Sequence, residues 1–132
     1  MHLTITNDIT LREIQEVFSN HYPYLRIEFF GKRHKKYESS NEELQIEPNI
    51  RIGDIKSQLV SGLVEILPTY KVEAVEKEFQ TRFGLPVQIM QKENEKWIQT
   101  TSMDDFTLKE LNEISRNSSD EYILEEEELE EE

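Results

Sequence analysis

The feature that most constrains the fold is a strand, helix and strand pattern that occurs twice. The opening MHLTIT alternates, with Leu3 and Ile5 on one face, the period-2 signature of a half-buried strand. TLRE follows, where Thr10 as N-cap and Glu13 three residues later make a capping box that satisfies orphan amides at a helix start. Leu11, Ile14, Val17 and Phe18 give this helix one apolar stripe, and Pro23 ends it. YLRIEFF then alternates Leu25, Ile27 and Phe29 against Tyr24, Arg26 and Glu28, a second strand.

The pattern returns about sixty residues on. Val64 and Ile66 stand where Leu3 and Ile5 stood, and Val72, Val75 and Phe79 match Leu11, Ile14 and Phe18 at an offset of 61. Leu85, Val87 and Ile89 match Leu25, Ile27 and Phe29 at an offset of 60. Thr69 or Tyr70 precedes the second helix, and Gly84 suits a left-handed C-cap that tolerates no β-carbon. Two origins account for the match: a duplication, or the shared pattern of any two βαβ units.

QKENEKWIQTT then predicts a hairpin turning at Glu93 to Glu95, with Trp97 and Ile98 on opposite faces of the returning strand. DDFTLKELNEI starts a last helix, with Thr107 and Glu110 as a second capping box and Leu108, Leu111 and Ile114 as its stripe. Between the two units, Ile50, Ile52, Ile55 and Leu59 suggest a short strand and one or two helical turns, the least defined segment of the chain.

These elements predict an α+β fold in which two βαβ units form one mixed sheet with both helices on one face. This is the split-βαβ or ferredoxin-like arrangement, extended by a C-terminal hairpin strand and helix. A ubiquitin-like or other mixed roll is the alternative. With 132 residues and 36% hydrophobic content, one domain over residues 1–119 is expected. Residues 31–43 would form a basic and polar loop, and residues 120–132 a disordered acidic tail.

Charge is uneven. The net charge is -13, and Asp120, Glu121, Glu125 to Glu128 and Glu130 to Glu132 supply nine of the 28 acidic residues. Such a tail repels itself and has little apolar surface to bury. Against this background FFGKRHKKYESS places Lys32, Arg33, His34, Lys35 and Lys36 in succession. That knot reads as a solvated loop, as a nucleic-acid contact of about four phosphates, or as a contact to an acidic protein or to the chain's own tail. The overall negative charge opposes approach to a polyanion. Neither an apolar run near 18 residues nor a charged-then-apolar leader at Met1 is present, so no membrane span is expected and a cytoplasmic setting is favoured. The absence of cysteine removes disulfides and thiolate chemistry.

The run KVEAVEKEFQTRFGLPVQIMQKENEKWIQTTSMDDFTLKELNEIS, residues 71–115, is similar to a group of short bacterial α+β proteins of unknown function. EKEFQTRFGLPVQIM, Trp97 before the Thr100 and Thr101 pair, the Asp pair and the TLKELN helix start carry the resemblance, with a departure at Gln91 and Lys92, where a more basic dipeptide is expected. The resemblance implies a bacterial, cytoplasmic setting and the same order of elements, and no activity.

No catalytic motif emerges. His2, His21 and His34 sit in no triad or metal-ligand spacing, and neither phosphate-loop motif occurs. Asp104 and Asp105 suit a hard cation or acid/base work, yet adjacent carboxylates before a helix more often serve its positive end. No catalytic residue, cofactor or metal site is therefore expected. The sequence points to a small non-enzymatic protein-interaction module. Its candidate contact residues are Lys32, Arg33, His34, Lys35, Lys36, Phe30 and Trp97, and its oligomeric state is open. The alternative is a nucleic-acid or polyanion-associated regulator acting through residues 31–36.

Overall fold

A computed structural model describes residues 1–31, 45–55, 62–100 and 103–118. The basic residues Lys32, Arg33, His34, Lys35 and Lys36, Leu59 and the acidic tail lie outside the described residues. In chain order the elements are β1 (His2–Ile5), α1 (Leu11–His21), β2 (Leu25–Phe29), α2 (Ile52–Ile55), β3 (Gly62–Glu65), α3 (Val72–Phe83), β4 (Val87–Glu93) and β5 (Lys96–Gln99). A last helix, α4, follows over residues 108–118. The fold is α+β.

Local signals act as their chemistry requires. The Thr10 side chain accepts from Glu13 N at 3.2 Å to cap α1, and Thr107 and Glu110 make a reciprocal box at α4, at 3.2 and 3.1 Å. Gly84 ends α3 at φ 60°, its amide bonding Gln80 O. Lys71 rather than Thr69 or Tyr70 is the N-cap of α3, and its side chain makes no capping bond. The β4–β5 hairpin turns through Asn94 and Glu95, both at positive φ, as a two-residue turn demands for strands of right-handed twist.

The expected single mixed sheet does not form. Among the described residues β1 pairs with β3, antiparallel, and β2, β4 and β5 make a separate antiparallel sheet in that order. In a split-βαβ sheet the first and third strands pair antiparallel, as β1 and β3 do here, but the second strand joins the third and the fourth joins the first in that same sheet, whereas β2 pairs with β4. The reason is visible at the edge of β2. Ile27 O accepts from the Gln15 side chain at 2.9 Å, and Phe29 O accepts from Ile46 N at 2.8 Å. That edge of β2 is occupied, so β3 pairs with β1 without β2 joining the same sheet.

One core joins the two sheets. It contains Leu3 and Ile5 of β1, Leu11, Ile14 and Phe18 of α1, Leu25, Ile27 and Phe29 of β2, Val75 and Phe79 of α3, Val87 and Ile89 of β4, and Leu108 and Leu111 of α4. Phe29 and Phe79 meet edge to face at 6.0 Å, a favoured aromatic geometry.

The two halves repeat each other beyond the strand pattern. In the first, Leu11 N donates to Ile50 O, Arg12 N to Pro48 O, Ile52 N to Ile9 O and Gly53 N to Asn7 O, at 2.9–3.1 Å. In the second, Val72 N donates to Phe106 O, Glu73 N to Asp104 O, Leu108 N to Tyr70 O and Lys109 N to Pro68 O, at 2.9–3.1 Å. Each half thus tucks the chain entering its last helix against the start of its first helix. Asp104 corresponds to Pro48 in this scheme, and Glu76 corresponds to Gln15.

Candidate functional site

Two features stand out as places where chemistry or recognition is possible: the outer face and open edge of the three-stranded sheet, and a buried pair of carboxyl groups behind it.

Strand alternation puts Leu25, Ile27, Phe29, Val87 and Ile89 into the core and leaves Tyr24, Arg26, Glu28, Met90, Lys92, Trp97 and Gln99 for the opposite face. Lys92 lies directly across from Trp97, and Met90 across from Arg26 on one side and Gln99 on the other. β5 is an edge strand of this sheet. Its Trp97 is 36% exposed, and the Arg26 guanidinium sits 5.9 Å from the ring centroid, a cation–π contact. Arg26 also pairs with Glu28, only 3% exposed, whose other oxygen accepts from Gln15 Nε2 at 3.0 Å and Gln45 Nε2 at 2.7 Å. The buried charge of Glu28 is therefore held by three donors, and it fixes Arg26 over the indole.

Among the sequence candidates, Trp97 lies on this surface. Phe30 is not part of the exposed surface: it is 2% exposed at the end of β2, bridged to Gln45. Period-2 alternation placed it on the outer face correctly but could not register the chain that covers it. Lys32, Arg33, His34, Lys35 and Lys36 lie outside the described residues.

The carboxyl pair belongs to α3 and to the turn before α4. Glu76 is 8% exposed, and its Oε2 accepts from Ile89 N at 3.0 Å, just past the end of β5, where Thr100 occupies Ile89 O through its amide and its hydroxyl at 3.2 and 2.8 Å. The Glu76 carboxyl also hydrogen-bonds the carboxyl of Asp104, itself 1% exposed. Burial is the largest influence and pushes Glu76 up to about 8, the Ile89 amide opposes it, and the charges of Asp104 and Glu73 raise it further.

Sequence reasoning expected Asp104 to serve the positive end of the last helix; Thr107 caps that helix, and Asp104 faces α3 instead. Glu76 went unnoticed. Its signal was available: Glu76 falls four residues after Val72 and three before Phe79, inside the apolar stripe of α3, where a carboxylate has no place unless paired or protonated. No group of three or more metal-ligating side chains occurs among the described residues, and no helix among them is long and apolar enough to cross a membrane. Compared with models of known families, with curated proteins and with solved structures, the chain finds no match.

Proposed function

We propose that this protein is a small non-enzymatic interaction module that receives a protein partner along β5 and over the outer face of the β2–β4–β5 sheet. One observation carries the reading: the edge strand presents a partly exposed tryptophan held under an arginine. Tryptophan and arginine dominate the energetic centres of interfaces, and an edge strand offers backbone groups to an added strand. Arg26 and Lys92 flank the ring, so an extended segment with an acidic side chain beside Trp97 suits this surface best. A cytoplasmic setting accords with the cysteine-free composition.

The test is quantitative capture of binding proteins by the full chain, by Trp97→Ala and by Lys77→Ala, a control on exposed α3. Circular dichroism confirms that each variant is folded. A bound protein that falls at least tenfold with Trp97→Ala and persists with Lys77→Ala supports the reading. An identical bound set for all three overturns it. In parallel, binding of labelled nucleic acid near ~50 mM salt, where phosphate contacts are strongest, that disappears when Lys32, Arg33, Lys35 and Lys36 become Ala would assign the function to the basic segment instead.

A further inference from the structure

The internal repeat supplies a comparison within one molecule. Both halves close the same turn against the same helix start, through Arg12 N to Pro48 O at 2.9 Å and Glu73 N to Asp104 O at 3.1 Å. In the first half the helix residue beside that turn is Gln15, a neutral amide bonded to Ile27 O and Glu28, and the turn residue is Pro48. In the second half the corresponding positions carry two carboxyl groups, Glu76 and Asp104, both buried and hydrogen-bonded to each other. Two carboxylates offer acceptors only, so a hydrogen bond between them requires a proton.

We propose that Glu76 and Asp104 form a proton-dependent latch: one proton shared between the two carboxyl groups holds the turn at residues 103–107 against α3 and β4, and loss of that proton releases it. The charges acting on Glu76 are Asp104 from the turn and Glu73 from its own helix, both acidic, and β4 contributes the uncharged Ile89 N–H. The neighbouring side chains Gln88 and Thr100, bonded to each other at 3.4 Å, are neutral. The latch holds more than the turn itself. Val72 N to Phe106 O and Leu108 N to Tyr70 O continue the seam into α4, whose Leu108 and Leu111 are core residues.

The sign follows from linkage. Glu76 ordinarily titrates at 4.5 and is pushed up to about 8 when closed, so the closed state binds a proton that the open state has released. Closure is therefore strongest below 4.5. It weakens up to tenfold per pH unit as pH rises toward 8, and is flat above that. The first half, with Gln15 and Pro48 at the matching places, has no such dependence.

The experiment combines a ¹³C titration of the Glu76 side-chain carboxyl carbon in the full chain with amide hydrogen exchange from pH 6 to 9. The latch predicts a Glu76 midpoint near 8. It also predicts protection at Val72, Glu73, Leu108 and Lys109 that falls with pH, after correction for intrinsic exchange, while Leu11, Arg12, Ile52 and Gly53 hold theirs. Glu76→Gln keeps an acceptor for Ile89 N and gives Asp104 a donor, so it should remove the pH dependence from the second set of amides. A Glu76 midpoint in the usual carboxylate range, or protection that changes in parallel in the two halves, overturns the latch; both readouts come from the unsubstituted chain and stand even if Glu76→Gln does not fold.

Discussion

Replacing Arg26 by alanine is expected to destabilise the fold by about 2 kcal/mol, far more than a surface ion pair is normally worth, because of what it leaves behind. Glu28 is 3% exposed. With Arg26 gone its carboxylate keeps two amide donors, Gln15 Nε2 and Gln45 Nε2, and loses its only cationic partner among the described contacts. Removing one member of a fully buried pair costs about 3–5 kcal/mol, and a hydrogen bond to a charged group about 1.5–3 kcal/mol. The Arg26 side chain is 40% exposed, so water enters in its place and screens the remaining charge, which puts the loss toward the lower of those ranges.

The same reasoning makes the effect asymmetric. Glu28→Gln removes the buried charge and leaves Arg26 to solvent, so it should cost less than about 1 kcal/mol, and Arg26→Ala combined with Glu28→Gln should recover most of the single-variant loss. The assay is urea denaturation by circular dichroism, since the change alters the surroundings of Trp97, the only tryptophan and hence the only indole signal. With a slope of about 1–3 kcal/mol per molar urea, a loss of this size moves the midpoint by roughly 1 M. An Arg26→Ala loss below about 0.5 kcal/mol, or a double variant no more stable than Arg26→Ala, would refute the argument that Glu28 depends on its arginine.

Phe79→Ala should cost about 3–5 kcal/mol, since Phe79 is fully buried between Phe29 and Phe83; a loss below 1 kcal/mol in equilibrium denaturation would mean that the α3 stripe is not a core element. Gly84→Ala should lower stability by about 1–2 kcal/mol, because φ 60° forces a β-carbon against the following carbonyl; a thermal midpoint unchanged within error would contradict the left-handed cap.

The sequence was most informative where a residue acts on its immediate neighbours. The stripes of α1 and α3, the Thr10 and Thr107 caps, the Gly84 terminus and the β4–β5 turn depend on spacings of a few residues, and all are found as expected. Sheet composition was not legible in this way. Alternation identifies which side of a strand is buried, but it does not show that the edge of β2 where β3 was expected is taken by Gln15, a residue of α1 outside either strand's own pattern. The site followed the same division. Trp97 was found as a singular aromatic on a predicted returning strand, whereas Phe30, placed on the same face by alternation, is buried and bridged to Gln45. Glu76 acquires its meaning from Asp104, 28 positions later, a contact no local window contains.

The duplication and the coincidence of two βαβ units make different demands on the strands, and the pairing favours the duplication. Two copies of one unit that associate about a two-fold axis bring each strand antiparallel to its own counterpart, with one pair of equivalent residues opposite each other at the axis. β1 and β3 meet with Leu3 opposite Val64, an offset of 61, and β2 and β4 meet with Glu28 opposite Gln88, an offset of 60, the offsets at which the sequence repeats. Unrelated βαβ units have no reason to pair this way, nor to share the hydrogen bonds that tuck Pro48 and Asp104 beside their respective helices. Even the flanks correspond: the Gln45 bridge lies beside β2 where the longer β5 lies beside β4. Against so much equivalence, the differences carry the information. Among the described residues, the second half has a full edge strand bearing Trp97 where the first has a single bridge, and two carboxyl groups where the first has an amide and a proline. Both departures lie along the path from β4 through Thr100 to Asp104, so the docking proposed at β5 and the proton loss proposed at Glu76 would act on one stretch of chain, and selection for either would leave the first half unchanged.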